Sequence, residues 1–131
     1  MIKGRCLCGE VRYELAGELG PIVFCHCSQC RRASGSAFAT NAPIQSSELT
    51  FVAGQGRIKE FESSPGKFRA FCGTCGSPLY SRRDDLPARM RLRIGTVETT
   101  IAARPTAHIY ASSKPEWDEI HDELPRHDGS A

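Results

Sequence analysis

Seven cysteines in three short groups constrain this chain more than any other feature. Cys6 and Cys8 form C-x-C, Cys25, Cys27 and Cys30 form C-x-C-x-x-C, and Cys72 and Cys75 form C-x-x-C. In a strand, residues i and i+2 face the same side, so a C-x-C pair can aim both sulfurs at one ion. A C-x-x-C pair closes around a metal where the chain turns tightly, and Gly73 and Gly76 in "CGTCGS" supply that turn. One C-x-C and one C-x-x-C make four thiolates, a common closed structural zinc site. Cys6, Cys8, Cys72 and Cys75 are therefore expected to hold one zinc. That site would tie the N-terminus to the middle of the chain and constrain the unfolded state.

Cys25, Cys27 and Cys30 are left over. Three protein ligands with a fourth position open is the usual arrangement of a catalytic zinc. Three thiolates are soft and suited to accepting a further thiolate. Two zinc ions per chain are expected on this partition. Two alternatives stay open for the trio: a second structural site completed by a distant histidine such as His108, or a reduced, metal-free cluster. If residues 25–27 are extended, His26 points away from the ion.

Composition narrows the function classes. The chain has 131 residues, with 17 basic and 15 acidic side chains and a net charge of +2. That balance is no signature of nucleic-acid or membrane binding. No apolar run at the N-terminus suits a signal peptide, and no stretch approaches a membrane span. A cytoplasmic setting is expected, in which thiols stay reduced and clustered cysteines serve metal or redox chemistry.

The remaining pattern is many short strands separated by Gly, Pro and Ser. Val11, Tyr13 and Leu15 alternate with charged residues. "PIVFCHC" (21–27) and "HIYA" (108–111) read as strands, and "SSPG" (63–66) as a hairpin turn. "SQCRRASG" (28–35) reads as a turn or short helix, with Ser28 as N-cap and Gly35 as terminator. In "RMRLRIGTV" (89–97), Arg89, Arg91 and Arg93 are expected on a solvated face. Phe24, Phe38, Phe51 and Phe71 are expected in the core. "KPEWDEI" (114–120) is expected to start a short helix at Pro115, with Trp117 anchoring it to the sheet. The prediction is an all-β sandwich or barrel-like domain over 1–125, with a mobile tail over 126–131.

With these residues placed, the sequence resembles the glutathione-dependent formaldehyde-activating enzyme (GFA) family. The matching segments are "GRCLCGEVRYEL" (4–15), "FCHCSQCRRASGSAF" (24–38), "LTFVAG" (49–54), "SSPGKFRAFCGTCGSPLY" (63–80) and "RPTAHIYASSKPEWDEIHDELP" (104–125). The resemblance implies an all-β, Mss4-like β-tent of short antiparallel strands stapled by the four-cysteine zinc. It implies a catalytic zinc at Cys25, Cys27 and Cys30. The implied reaction joins glutathione to formaldehyde, giving S-hydroxymethylglutathione, a carbon–sulfur lyase type of chemistry.

A substrate thiol is expected as the trio's fourth ligand, deprotonated by coordination and nucleophilic toward a small aldehyde. Glutathione carries two carboxylates, so Arg31 and Arg32, with Ser34 and Gly35 in a tight turn, are the expected substrate-binding residues. The competing reading is a non-catalytic, zinc-stapled binding or chaperone module with a redox-sensitive trio. No nucleic-acid or membrane partner is expected, and no sequence feature encodes an oligomeric state.

Overall fold

Short alternating runs become short strands. The computed structural model describes residues 1–130. β1 (Ile2–Arg5), β2 (Arg12–Leu15) and β5 (Leu49–Ala53) form a three-stranded antiparallel sheet in the order β1-β2-β5. A seven-stranded sheet runs through β10 (Pro105–Ile109), β3 (Ile22–Cys25), β4 (Ala39–Gln45), β9 (Arg89–Arg93), β8 (Pro78–Arg83), β7 (Lys67–Cys72) and β6 (Ile58–Ser64), in that order. The α-helix is α1 (Ser28–Ser34), seven residues long. The all-β expectation holds, with one departure. β10 pairs with β3 in parallel, setting Ile109 beside Cys25. A parallel partner needs a long crossover, and here β4 to β9 all intervene.

Register decides what each face of the large sheet carries. Ala42, Leu92, Tyr80 and Ala70 lie side by side across β4, β9, β8 and β7. Their face packs on Tyr13 and Leu15 of the small sheet, with Phe51 between them. Burying a side chain such as Leu15 or Leu92 contributes about 1.5–3 kcal/mol. Residues one step along each strand point to the opposite face. These are Asn41, opposite Arg93, and Ser81, flanked by Arg91 and Arg69. The large sheet thus has one apolar face against its partner sheet and one polar, cationic face.

Several expectations need correcting. The arginines of β9 are not a uniformly solvated face: Arg89 is exposed, Arg91 half-buried, and Arg93 only 9% exposed. Residues 114–120 hold a turn at 116–117 and no helix, and Trp117 is 64% exposed rather than packed as an anchor. Phe51 packs on the core as expected, whereas Phe24, Phe38 and Phe71 are half-buried outside the core clusters. Phe24 and Phe38 stack with ring centroids 4.6 Å apart. Within 126–130, Arg126 bridges His108, the His127 amide donates to the His108 carbonyl, and the Tyr110 amide donates to the Gly129 carbonyl. Among the described residues, no helix is long and apolar enough to cross a membrane.

Candidate functional site

The fold gathers the cysteines into two clusters. In each, the sulfurs lie within 4.8 Å of one another. The first cluster holds Cys6, Cys8, Cys72 and Cys75. Cys6 follows β1 and Cys72 closes β7, so the cluster joins the small sheet to the large one. The Cys6 and Cys8 sulfurs are 3.5 Å apart, and those of Cys8 and Cys72 are 3.9 Å apart. The chain around them is built for this approach. Gly76 takes φ 79° and its amide donates to the Cys72 carbonyl at 2.8 Å, closing the C-x-x-C turn. The Val11 amide donates to the Cys6 sulfur at 3.3 Å. A hydrogen bond with the Ser77 hydroxyl, 3.2 Å away, holds the Cys75 thiol down at about 5. Four converging sulfurs with backbone donors behind them fit a closed tetrahedral zinc.

The second cluster holds Cys25, Cys27 and Cys30. Cys25 ends β3, and Cys30 lies in the first turn of α1. The N-cap of α1 is Cys27, not Ser28. Cys27 is extended (φ −63°, ψ 153°), and its sulfur accepts from the Cys30 amide at 3.2 Å. That one hydrogen bond fixes the helix start and brings two of the thiols together. Gly35 terminates the helix with φ 68°, as expected. The trio's sulfurs compete for charge. Hydrogen bonds from Cys25 and Cys27, and then the Arg69 guanidinium, hold Cys30 far below the ordinary thiol range. Hydrogen bonding with Cys27 and Cys30 pushes Cys25 far above it. Three thiols this close cannot all ionise without a compensating cation, so the donor set fits a soft dication such as zinc.

Two polar assemblies back the trio. Arg69, 7% exposed, donates to the Cys30 sulfur at 3.5 Å, to Gln29 Oε1 at 3.3 Å and to Ser63 Oγ at 3.2 Å. On the other side, His26 is completely buried, with Nε2 2.8 Å from His108 Nδ1. His108 Nε2 in turn lies 3.0 and 3.1 Å from the Asp122 carboxylate oxygens. With Asp122 accepting from His108 Nε2–H, His108 Nδ1 accepts from His26 Nε2–H, and the tautomers of both rings are set. Burial and the neighbouring His108 push His26 down from its ordinary value. His108 is thus engaged away from the sulfurs and is no fourth member of the cluster. The chain from Asp122 to His26 ties the C-terminal segment to the loop that carries the trio.

A cavity of about 390 Å³ opens on Cys25, Cys27 and Cys30, while none of the four-cysteine set lines it. Its floor is the cationic face of the large sheet. Lys67, Arg82, Arg83, Arg89, Arg91 and Arg93 all reach it, and among the described residues no carboxylate does. Arg82 pairs with Glu60 and Asp84, and Arg83 with Asp85. Lys67, Arg89, Arg91 and Arg93 have no carboxylate partner among the described residues. Burial lowers the Arg93 guanidinium to about 10, so it stays charged at neutral pH.

The expected substrate-binding residues lie elsewhere. Arg31, Arg32, Ser34 and Gly35 do not line this cavity. Arg31 Nη1 donates to the Ser113 carbonyl at 3.1 Å, the Gly35 amide donates to the Arg31 carbonyl, and Ser34 Oγ bonds the Arg31 and Phe38 carbonyls. Arg32 is exposed. Sequence reasoning missed Asn41, Lys67, Arg69 and Ser81 altogether. The alternation of arginines in β9 was a usable signal, but it does not say which face is covered.

Comparison with known proteins adds the family. The model for "Glutathione-dependent formaldehyde-activating enzyme" (GFA) matches residues 1–113. A Fusarium vanettenii protein described as "Putative glutathione-dependent formaldehyde-activating enzyme" is 29% identical over 82 residues. That match covers 61% of this chain and 44% of the relative, so the chain matches less than half of that protein's length. Among solved structures, a crystal structure of a Rhodobacter sphaeroides protein superposes with a TM-score of 0.63 at 27% identity. It covers 76% of this chain and 91% of its own.

Proposed function

This chain belongs to the glutathione-dependent formaldehyde-activating enzyme family, and we propose that it is a zinc-dependent enzyme joining a thiol, glutathione, to a small aldehyde, in the manner of a carbon–sulfur lyase. The observation that carries this reading is the asymmetry between the clusters: the trio walls the cavity and the four-cysteine set does not. Cys25, Cys27 and Cys30 would hold the catalytic zinc, and Cys6, Cys8, Cys72 and Cys75 a structural one. Zinc at the trio supplies an open coordination position and lowers the pKa of a thiol that takes it.

The chain's own residues bind and orient. Lys67 on β7 is level with Arg83 on β8 and so with Arg89 on β9, two strand spacings or about 10 Å away, while Arg91 lies two residues further along β9. An extended three-residue chain reaches about the same distance. Lys67 and Arg89, neither of which has a carboxylate partner among the described residues, suit the two carboxylates of glutathione at that separation, with Arg91 as a third cation of the lining. Arg31, already engaged with Ser113, instead braces the helix that carries Cys30. The sulfur–carbon bond forms as the carbonyl π bond opens, and the thiol proton ends on the oxygen. All seven cysteines are free, which suits a reducing cytoplasmic setting.

The test is exchange NMR on zinc-loaded, reduced protein with ¹³C-formaldehyde and glutathione. The reading expects faster exchange between free aldehyde and adduct than in buffer, and none of that acceleration in Cys27→Ser. No acceleration and no glutathione binding in the wild type would leave the non-catalytic module with an oxidisable trio.

A further inference from the structure

Three buried polar side chains that line the cavity have no assigned role in the thiol–aldehyde step. Arg93 is 9%, Asn41 1% and Ser81 4% exposed, and all three line the cavity with the cysteine trio. Arg93 Nη1 donates to Asn41 Oδ1 at 2.6 Å, and that amide is its side-chain hydrogen-bond partner among the described residues. Ser81 makes no side-chain hydrogen bond there. Arg69, the other buried arginine, is engaged by Cys30, Gln29 and Ser63. Arg93 bonds none of the sulfurs. The thiolates of Cys30 and Cys25 act on Arg93 as favourable charges, but among the described residues no carboxylate hydrogen-bonds it, and burying a guanidinium costs several kcal/mol. Formaldehyde is neutral and has no group to relieve it. A carboxylate does, through the bidentate geometry that guanidinium groups favour.

We infer that the cavity is built for an aldehyde bearing its own carboxylate next to the carbonyl carbon, with Arg93 binding that carboxylate and Asn41 and Ser81 positioning it. This rests on the reading that the trio joins a thiol to an aldehyde. The step is the same addition: sulfur bonds to carbon, the carbonyl π bond opens, and the thiol proton passes to oxygen. Nothing is oxidised or reduced. The adduct carries three carboxylates and one ammonium group. It faces Lys67, Arg89, Arg91 and Arg93, the four lining cations without an acid partner among the described residues. A formaldehyde adduct offers one carboxylate fewer and leaves Arg93 without a carboxylate partner among the described residues.

The test uses stable thioethers on zinc-loaded wild-type protein, by titration calorimetry. S-Carboxymethylglutathione carries the extra carboxylate and S-methylglutathione lacks it. The first should bind about tenfold or more tightly than the second, the effect of a charge-assisted hydrogen-bonded pair. Arg93→Met should bring the two affinities together. Arg93→Lys, which keeps the charge and the fold, should retain only part of the difference because it loses the planar fork. In exchange NMR, glyoxylate should outcompete formaldehyde for glutathione on the wild type. Equal affinities for the two thioethers, with glutathione itself bound, would overturn the inference and leave the thiol–aldehyde reading standing. No binding of glutathione or either thioether would overturn both.

Discussion

The two cysteine clusters are similar in chemistry and opposite in placement. Cys6, Cys8, Cys72 and Cys75 come from stretches more than sixty residues apart and join two sheets, outside the cavity. Cys25, Cys27 and Cys30 come from six consecutive positions, sit on one strand end and one helix turn, and wall the cavity. A cross-link between distant segments restricts the unfolded chain strongly, and a local one restricts it little. The same ligand atoms are therefore suited to stability in one place and to binding in the other.

The comparison breaks most visibly at the staple. Cys75→Ser or Cys6→Ser should leave the protein largely unfolded, because a structural zinc contributes about 10 kcal/mol, comparable with the whole stability of a domain. Loss of the cooperative thermal transition checks this, and strong chelation should do the same to the wild type. Cys27→Ser should cost far less. Serine is a preferred N-cap, so the start of α1 survives. Its melting temperature should stay near that of the wild type while thiol binding is lost. Equal damage from Cys27→Ser and Cys75→Ser would erase the distinction.

Arg69→Met sharpens the contrast. It removes the guanidinium bonded to the Cys30 sulfur and should weaken metal binding at the trio by about 10- to 100-fold. The four-cysteine site should be unaffected, so competition with a metal indicator should show one affinity changed and one constant. The smallest effect lies away from both clusters. The Arg82 guanidinium, followed by the Tyr80 hydroxyl, holds the Glu60 carboxyl below its usual range. A carboxyl lowered in the folded state contributes stability that is present above its unfolded value, about 4.3. That contribution is lost as pH falls through the lower folded value. Glu60→Gln should therefore flatten the acid limb of the stability profile by under about 1 kcal/mol.

The sequence made the grouping of the sulfurs legible because spacing within a motif is local geometry. It made the strand-rich fold legible because period-2 alternation is local too. What it hid was long-range. Alternation in β9 sorts Arg89, Arg91 and Arg93 from Met90 and Leu92, but only the tertiary fold says which side becomes a cavity floor. Arg31 and Arg32 stand beside Cys30 in sequence, yet helical geometry turns Arg31 toward Ser113, while Lys67 and Arg93 arrive from other strands. Ser28 is the better N-cap by residue preference, but the extended backbone at Cys27 gives that role to a sulfur. The parallel pairing of β10 with β3, and the His26–His108–Asp122 chain that it supports, join residues more than eighty positions apart, beyond any local pattern.

The most direct test of the two-cluster account is zinc content per chain, by elemental analysis of protein purified under reducing conditions, for the wild type and for Cys27→Ser. The account predicts about two zinc ions in the wild type, and about one in a Cys27→Ser protein that still unfolds cooperatively. One zinc in the wild type, unchanged by added zinc and glutathione, would contradict it.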